Sequence, residues 1–187
     1  SVTGYFDCTG AQITSLEGAP QSVGTGFYCN HTKITSLKHA PQSVGGSFNC
    51  GFTNITSLEG APQSVGGFNC ALTNITSLEH APQSVGGDFT CTFTSITSLK
   101  HAPQSVGGNF NCYNTKIASL EHAPQSVGGN FNCYNTKIAC IDIVGLALIE
   151  GISEVQIHNI VFDTSDHDPH TFQEKLIDAG LKAHARM

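Results

Sequence analysis

The hexapeptide Ala-Pro-Gln-Ser-Val-Gly recurs along most of this chain at intervals of 20 or 21 residues. Its copies begin at Ala19, Ala40, Ala61, Ala81, Ala102 and Ala123. A period this short is typical of repeat proteins, because one unit cannot bury its own apolar face and must stack on its neighbours. We therefore expect a solenoid that presents extended surfaces, rather than a globule folded around a catalytic cleft.

Each unit carries a Phe and, two residues later, a Cys. Side chains two apart on an extended segment point to the same side, so both should face the inside of the stack. Equivalent residues of adjacent units should lie about 5 Å apart, as neighbouring strands do. The Phe positions are Phe6, Phe27, Phe48, Phe68, Phe89, Phe110 and Phe131, and the Cys positions are Cys8, Cys29, Cys50, Cys70, Cys91, Cys112 and Cys133.

The rest of the unit predicts bends rather than helix. A Thr follows the Cys by three residues in every unit but the first, which has Ala11, and its hydroxyl can satisfy the backbone of a tight bend. Gly-Gly pairs such as Gly45-Gly46 permit re-entry into the next strand. The recurring Pro argues against helix on the opposite side. The sequence thus predicts a strand on one side of each coil and non-helical turns on the other.

The pattern F-x-C-x-x-T-x-I-T-S-L resembles the leucine-rich repeat, with Phe48, Cys50 and Ile55 at the Leu places and Thr53 at the usual Asn place. The unit is more closely similar to S-L-E-G-A-P-x-x-V-G-G-x-F-x-C repeats of phage and bacterial proteins. This resemblance covers residues 1 to about 143. It implies a mainly β, leucine-rich-repeat-like solenoid with a parallel sheet on one face, few or no helices in the repeats, and a general binding scaffold.

We predict two regions. Residues 1–143 form about seven repeats of 20–21 residues, beginning mid-repeat, because Ser1–Phe6 matches Ser43–Phe48. The edge of this first repeat is expected to be covered by another polypeptide. Residues 144–187 form a C-terminal cap, with a degenerate last strand at about 155–158 and a short helix at about 169–180. The helix start is indicated by Pro in its first turn.

Composition excludes several partners. Charged residues make up 12 % of the chain and the formal net charge is −6, with no basic stripe of the kind that nucleic acid requires. No apolar run is long enough to span a membrane. Seven of the eight cysteines are one repeated position on parallel strands, where pairing would strain the sheet. We therefore expect free, buried thiols and a reducing compartment, not a disulfide-stabilised secreted domain.

One cluster in the cap combines His and carboxylate side chains, which are metal ligands in other proteins. Its members are His158, Asp163, Asp166, His167, Asp168 and His170. Their spacing matches no metal motif, so an acidic solvated loop with helix-capping residues is the favoured interpretation. We predict no catalytic residue, no cofactor and no bound metal.

Two rows of residues are candidate binding surfaces. One is an uncharged row on the expected concave face, which becomes aromatic toward its C-terminal end: Asn49, Asn69, Asn111, Asn132, Tyr113 and Tyr134. Tyr with Asn suits recognition of protein or sugar, although a merely soluble face with Asn ladders is the alternative. The other row is Phe52, Leu72 and Phe93, at a position that is polar or Gly in the flanking units. These three form either a contact patch or side chains that fold inward over the bend.

These observations favour a non-enzymatic protein-binding or assembly module, phage-encoded and a candidate virion structural or decoration component. Its partner would be another protein or a second copy of itself, in a virion or in the bacterial host cytoplasm. A carbohydrate-binding adhesin that uses the Asn/Tyr face is the first alternative. A metal-dependent enzyme built on the cap cluster is the second.

Overall fold

The computed structural model describes residues 1–138 and the two residues of a further strand at 160–161. Each repeat makes one turn of a solenoid, and the strands of successive turns pair in parallel. No helix occurs in the described residues. The predicted fold class, a mainly β solenoid built on a parallel sheet, is thereby confirmed, and the chain is a β-solenoid repeat protein in the part described.

Among the described residues, the main sheet has eight strands in chain order. They are β1 (Phe6–Asp7), β3 (Phe27–Tyr28), β5 (Ser47–Asn49), β7 (Gly67–Asn69), β9 (Phe89–Thr90), β11 (Phe110–Asn111), β13 (Phe131–Asn132) and β14 (Ile160–Val161). Within the repeats the Phe two residues before each Cys pairs with the equivalent Phe of the next turn. Pairing continues into β14, where Phe131 is opposite Ile160. The predicted strand at about 155–158 and the helix at about 169–180 lie outside the described residues.

A second, narrower ladder was not expected from the sequence. The Ser-Val pair of each hexapeptide forms a two-residue strand: β2 (Ser22–Val23), β4 (Ser43–Val44), β6 (Ser64–Val65), β8 (Ser84–Val85), β10 (Ser105–Val106) and β12 (Ser126–Val127). Among the described residues, β6, β8, β10 and β12 pair as one parallel sheet, and β2 pairs with β4 as another. The Val side chains are buried while the Ser side chains face outward or lie half-buried, which is the alternation expected of strands.

The core is a set of identical side chains in register. Phe48, Phe89 and Phe110 are fully buried, and consecutive rings from Phe6 to Phe131 stack with centroids 5.0–5.6 Å apart. Ile and Leu of each repeat pack beside them. Parallel pairing brings each side chain against its own copy, so a residue that fits one turn fits all of them.

The Thr three residues after the Cys closes the bend, as predicted. Thr53 Oγ1 donates to the carbonyl oxygen of Cys50 at 2.7 Å, and the same bond recurs in every later described repeat. In the first repeat, where Ala11 replaces Thr, the backbone N–H of Ala11 donates to Cys8 O instead. A buried carbonyl needs such a donor, because leaving it unpaired costs about 1–3 kcal/mol.

Two positions per turn have left-handed backbone. The first is the residue two after Cys, with φ between 50° and 71°: Gly10, His31, Phe52, Leu72, Phe93, Asn114 and Asn135. The second precedes the Ala of the hexapeptide and is Gly18, His39, Gly60, His80, His101 or His122. There the Ala N–H donates to the Leu carbonyl three residues back, and this turn, like type II, needs positive φ at its third residue.

The 20-residue repeat shifts the backbone pairing locally. In most turns the backbone N–H of the first Gly of the Gly-Gly pair donates to the carbonyl oxygen of the equivalent Val in the preceding turn. Gly45 donates to Val23 in this way, and Gly107 to Val85. In the short repeat Gly66 donates to Gly46 O instead, at 2.8 Å. The missing residue is the one that elsewhere separates the Gly pair from Phe, so Gly67 takes its place opposite Ser47. The second ladder is interrupted at this point, between β4 and β6.

Candidate binding surfaces

The row Phe52, Leu72 and Phe93, which we name the apolar ridge, lies on the outside of the solenoid. Their exposed fractions are 49 %, 41 % and 49 %, so these side chains do not fold inward over the Thr bend. Each occupies the first left-handed position of its turn. Each backbone N–H donates to a carbonyl of the next turn, for example Phe52 N to Ala71 O at 2.9 Å. The stack therefore holds the backbone in this conformation whatever side chain it carries.

Aromatic neighbours extend the ridge at both ends. The His31 ring stacks on Phe52 with centroids 4.1 Å apart, and Tyr113 meets Phe93 edge-on at 5.6 Å. Phe93 thus leans toward the residue that follows Cys in the next turn. Four rings and one Leu thus follow one another over five successive turns, from His31 to Tyr113. This band of side chains contains no Lys, Arg, Asp or Glu.

The Asn row lies on the outer face of the main sheet, each side chain half-buried: Asn49, Asn69, Asn111 and Asn132. The amide oxygens of Asn49 and Asn69 accept the backbone N–H two residues on, from Gly51 at 3.0 Å and from Ala71 at 2.9 Å. Tyr113 is half-buried and Tyr134 is exposed. The structure thus places the predicted row on one face, although the first two amides also tie down their own strand ends.

A cleft of about 360 Å³ opens on this face at the short repeat. Its lining includes Tyr28, Ser47, Asn49, Gly67, Asn69 and Asp88. The sequence indicates the two Asn residues as candidates for binding but does not predict the cleft. The signal that could have located it is the single 20-residue interval, which leaves one glycine where neighbouring turns have Ser and Asp.

The buried thiols have no site chemistry. All seven cysteines of the described residues are free, and six are buried. Burial raises the pKa of the Cys70 and Cys133 thiols to about 12. Burial also raises the pKa of Cys91 well above its usual value, with neighbouring thiols adding to the effect. Because the thiolate is the reactive form, these groups are poor nucleophiles and poor ligands at neutral pH.

Within residues 1–138 and 160–161, no group of three or more His, Cys, Asp and Glu side chains is arranged to hold a metal ion. The predicted alternative cluster, from His158 to His170, lies outside the described residues. The same part of the chain contains no helix that is long and apolar enough to cross a membrane.

Neither a protein-family model, nor a curated protein, nor a solved structure matches this chain significantly. The function is therefore inferred from the geometry of the surfaces.

Proposed function

We propose that this protein is a non-enzymatic binding module that docks another polypeptide on the apolar ridge. The observation that carries the proposal is the combination of backbone strain and exposure at Phe52, Leu72 and Phe93. Left-handed backbone costs a residue with a Cβ roughly 1–2 kcal/mol, and Gly and Asn tolerate it best. Other turns of this chain have Gly10, Asn114 or Asn135 at the same position.

Folding alone gives no reason for three large apolar side chains at this position. They are half-exposed, so burial stabilises them less than it stabilises a core side chain, and they occupy a backbone conformation that is unfavourable for bulky residues. Strained residues that persist in a well-determined backbone are concentrated at binding sites, where the strain is offset elsewhere. A row of such residues in consecutive turns supports a contact surface that becomes buried when a partner docks.

The chemistry of the ridge favours a protein as the occupant. Exposed aromatic side chains with little charge are the residues that contribute most to protein–protein contacts. Three half-exposed side chains are too few for a stable interface of about 800 Å² per partner, so the ridge would be its centre rather than its whole extent. Both another protein and a second copy of this chain fit this description.

The setting of this function is a finer part of the same proposal. The S-L-E-G-A-P-x-x-V-G-G-x-F-x-C unit resembles leucine-rich-repeat-like proteins of phages and bacteria, and supports a phage-encoded assembly component, such as one that decorates a virion. We propose localisation to the virion or the host cytoplasm, which that resemblance and the buried free thiols support.

The test is a double substitution, Phe52→Asn with Phe93→Asn. Asn is already present at this position in two turns, so the fold should be retained. Self-association, measured by light scattering, or retention of a partner protein that the parent captures should fall at least tenfold. The matched control is Thr56→Asn with Thr97→Asn, two exposed positions away from the ridge.

Two results would contradict the proposal. One is association by the ridge variant that equals that of the parent. The other is unfolding of the variant, because it would assign Phe52 and Phe93 to the core. Light scattering of the purified chain separates the two occupants: a second copy gives concentration-dependent mass, and a foreign partner does not.

A further inference from the structure

The deletion of one residue in the third hexapeptide repeat opens the cleft at Gly67. The column of residues before each Phe reads Tyr5, Gly26, Ser47, Gly67, Asp88, Asn109 and Asn130. All but two of these residues carry a side chain on the outer face of the main sheet. At Gly26 the gap is filled, because the ring of Tyr28 lies within 2.7 Å of where a Cβ would stand. At Gly67 no ring fills the position: the nearest atom to where a Cβ would stand is the Ser47 hydroxyl oxygen at 3.0 Å, and Gly67 lines a cleft together with Ser47 and Asp88.

Hydrogen bonds fix the orientation of the two Asn amides that line the cleft. The backbone N–H groups of Gly51 and Ala71 can only donate, so the side-chain atoms they bind in Asn49 and Asn69 must be the amide oxygens. The NH₂ groups of both amides are therefore left as donors. The two Asn residues are directly paired on adjacent turns, and neighbouring strands lie about 4.8 Å apart.

Asp88 supplies acceptors on the opposite wall. Its Oδ1 accepts the backbone N–H of Asn109 at 2.7 Å and the side-chain amide of Asn109 at 3.1 Å. Both bonds use Oδ1, so Oδ2 keeps its acceptor capacity and the carboxylate is held in one orientation. Ser47 adds a hydroxyl on the near wall, and the ring of Tyr28 forms the far side.

We propose that this cleft binds a neutral oligosaccharide. Sugar hydroxyls both donate and accept, so they match two amide donors facing a carboxylate and a hydroxyl. The apolar C–H face of a sugar ring packs on an aromatic ring such as that of Tyr28. Asp88 is the one charged residue among those that line the cleft, which disfavours anionic sugars.

The dimensions agree with this class of ligand. A volume of about 360 Å³ lies at the lower end of the range for small-molecule sites, about 300–1,000 Å³. Successive turns of the main sheet repeat at about the length of one sugar ring in a glycan chain. The cleft is distinct from the apolar ridge, so its occupancy and partner docking can be tested separately.

The experiment is a titration of the ¹⁵N-labelled full chain with chitotetraose, cellotetraose and maltotetraose, followed by NMR. At least one should bind with a dissociation constant in the millimolar range or tighter, and the shifted amides should belong to the turns from Tyr28 to Thr90. A hyaluronan tetrasaccharide, which is anionic, should bind at least tenfold more weakly than the best neutral probe.

Two variants close the cleft in ways that the chain already tolerates elsewhere. Gly67→Asn supplies the side chain found at Asn109 and Asn130. The nearest atom to its Cβ would be the Ser47 Oγ at 3.0 Å, which a rotation of the Ser side chain relieves, and the next is the Asp88 carbonyl oxygen at 3.6 Å. Insertion of one Asn between Gly67 and Phe68 restores the V-G-G-N-F sequence of later repeats. Both should fold and weaken binding at least tenfold, whereas Asn130→Ser, remote from the cleft, should not change it.

The proposal is overturned if none of the neutral tetrasaccharides binds at tens of millimolar. It is equally overturned if the shifted amides lie outside the cleft, or if either closed variant binds as the parent does. The ridge variant Phe52→Asn/Phe93→Asn should bind the sugar normally, so failure of one proposal leaves the other standing.

Discussion

The ring of Phe89 stacks on that of Phe110 with centroids 5.2 Å apart and an angle of 13° between the ring planes. Both side chains are fully buried, and Phe89 also stacks on Phe68. Phe89→Ala would therefore leave a cavity in the middle of the stack. We expect it to lower the free energy of unfolding by about 3–5 kcal/mol, measured by urea denaturation.

The matched control is Phe6→Ala. Phe6 lies in the first described turn, stacks on one neighbour only and is partly exposed. Its loss should be clearly less destabilising than that of Phe89. Equal effects, or a Phe89→Ala variant that melts with the parent, would contradict the stacked-core description.

The buried hydroxyl of Thr53 gives a second prediction. It donates to Cys50 O at 2.7 Å, so Thr53→Val keeps the side-chain shape and removes only the donor. The cost should be about 1–3 kcal/mol, because the carbonyl loses a partner inside the stack. The exposed Thr56→Val should change stability by no more than about 0.5 kcal/mol. If the two Val variants are equally stable, the bend does not depend on the Thr hydroxyl.

Backbone strain at the ridge predicts a gain of stability on losing an apolar residue. Leu72 has φ of 54° and stands in the same position as Asn114, also at 54°. Leu72→Asn should raise the free energy of unfolding by about 0.5–1 kcal/mol, because Asn tolerates this conformation better.

The reciprocal variant, Asn114→Leu, tests the same argument in the opposite direction. It should lower the free energy of unfolding by a similar amount, together with the loss of the amide contact between Asn114 and Asn135. Calorimetry at matched protein concentration would compare the pair. A destabilised Leu72→Asn would show that Leu72 contributes to the core and that strain does not dominate there.

The buried thiols predict a loss of stability at alkaline pH. Burial raises the pKa of folded Cys70 to about 12, whereas an exposed thiol in the unfolded chain ionises near pH 8.5. Below that pH both states hold the proton and the thiols add no pH dependence. Above it the unfolded state binds fewer protons, so stability falls as pH rises, by up to about 1.4 kcal/mol per pH unit for each thiol.

Urea unfolding of the parent and of Cys91→Ala, from about pH 8 to pH 10, would measure this dependence. The pKa of Cys91 is raised well above its usual value by burial, so removing it should make the slope shallower by one thiol. Identical slopes would contradict the prediction. Rapid labelling of most thiols by a maleimide in the native protein would also contradict it.

Much of the fold could be read from the repeat. Phe and Cys two residues apart indicate an inward-facing strand, and copies at a fixed interval must stack in register, so the burial of Phe48 and Cys50 followed directly. The second ladder of Ser-Val strands was missed because two residues are too few to show an alternating pattern. The last strand at Ile160–Val161 has no repeat to align it.

The candidate sites depended more heavily on the structure. Sequence comparison between repeats identified Phe52, Leu72 and Phe93 as unusual, but could not tell exposed side chains from inward ones. The left-handed φ at this position is decided by hydrogen bonds to the next turn, such as Leu72 N to Thr92 O at 3.0 Å. Because Phe52, Leu72 and Phe93 are both strained in the backbone and exposed, they are candidates for a binding surface.

The sequence by itself determined that this protein is a stack, because a 21-residue unit with one Phe and one Cys has no other way to bury them. Only the tertiary structure decided what the irregular repeat does. A missing residue between Gly67 and Phe68 was absorbed by a shifted hydrogen bond, from Gly66 to Gly46, while the Phe ladder stayed in register. The core side chains are closely packed and keep their register, so the missing residue changes the solvent-facing side of the turn, where it leaves a cleft.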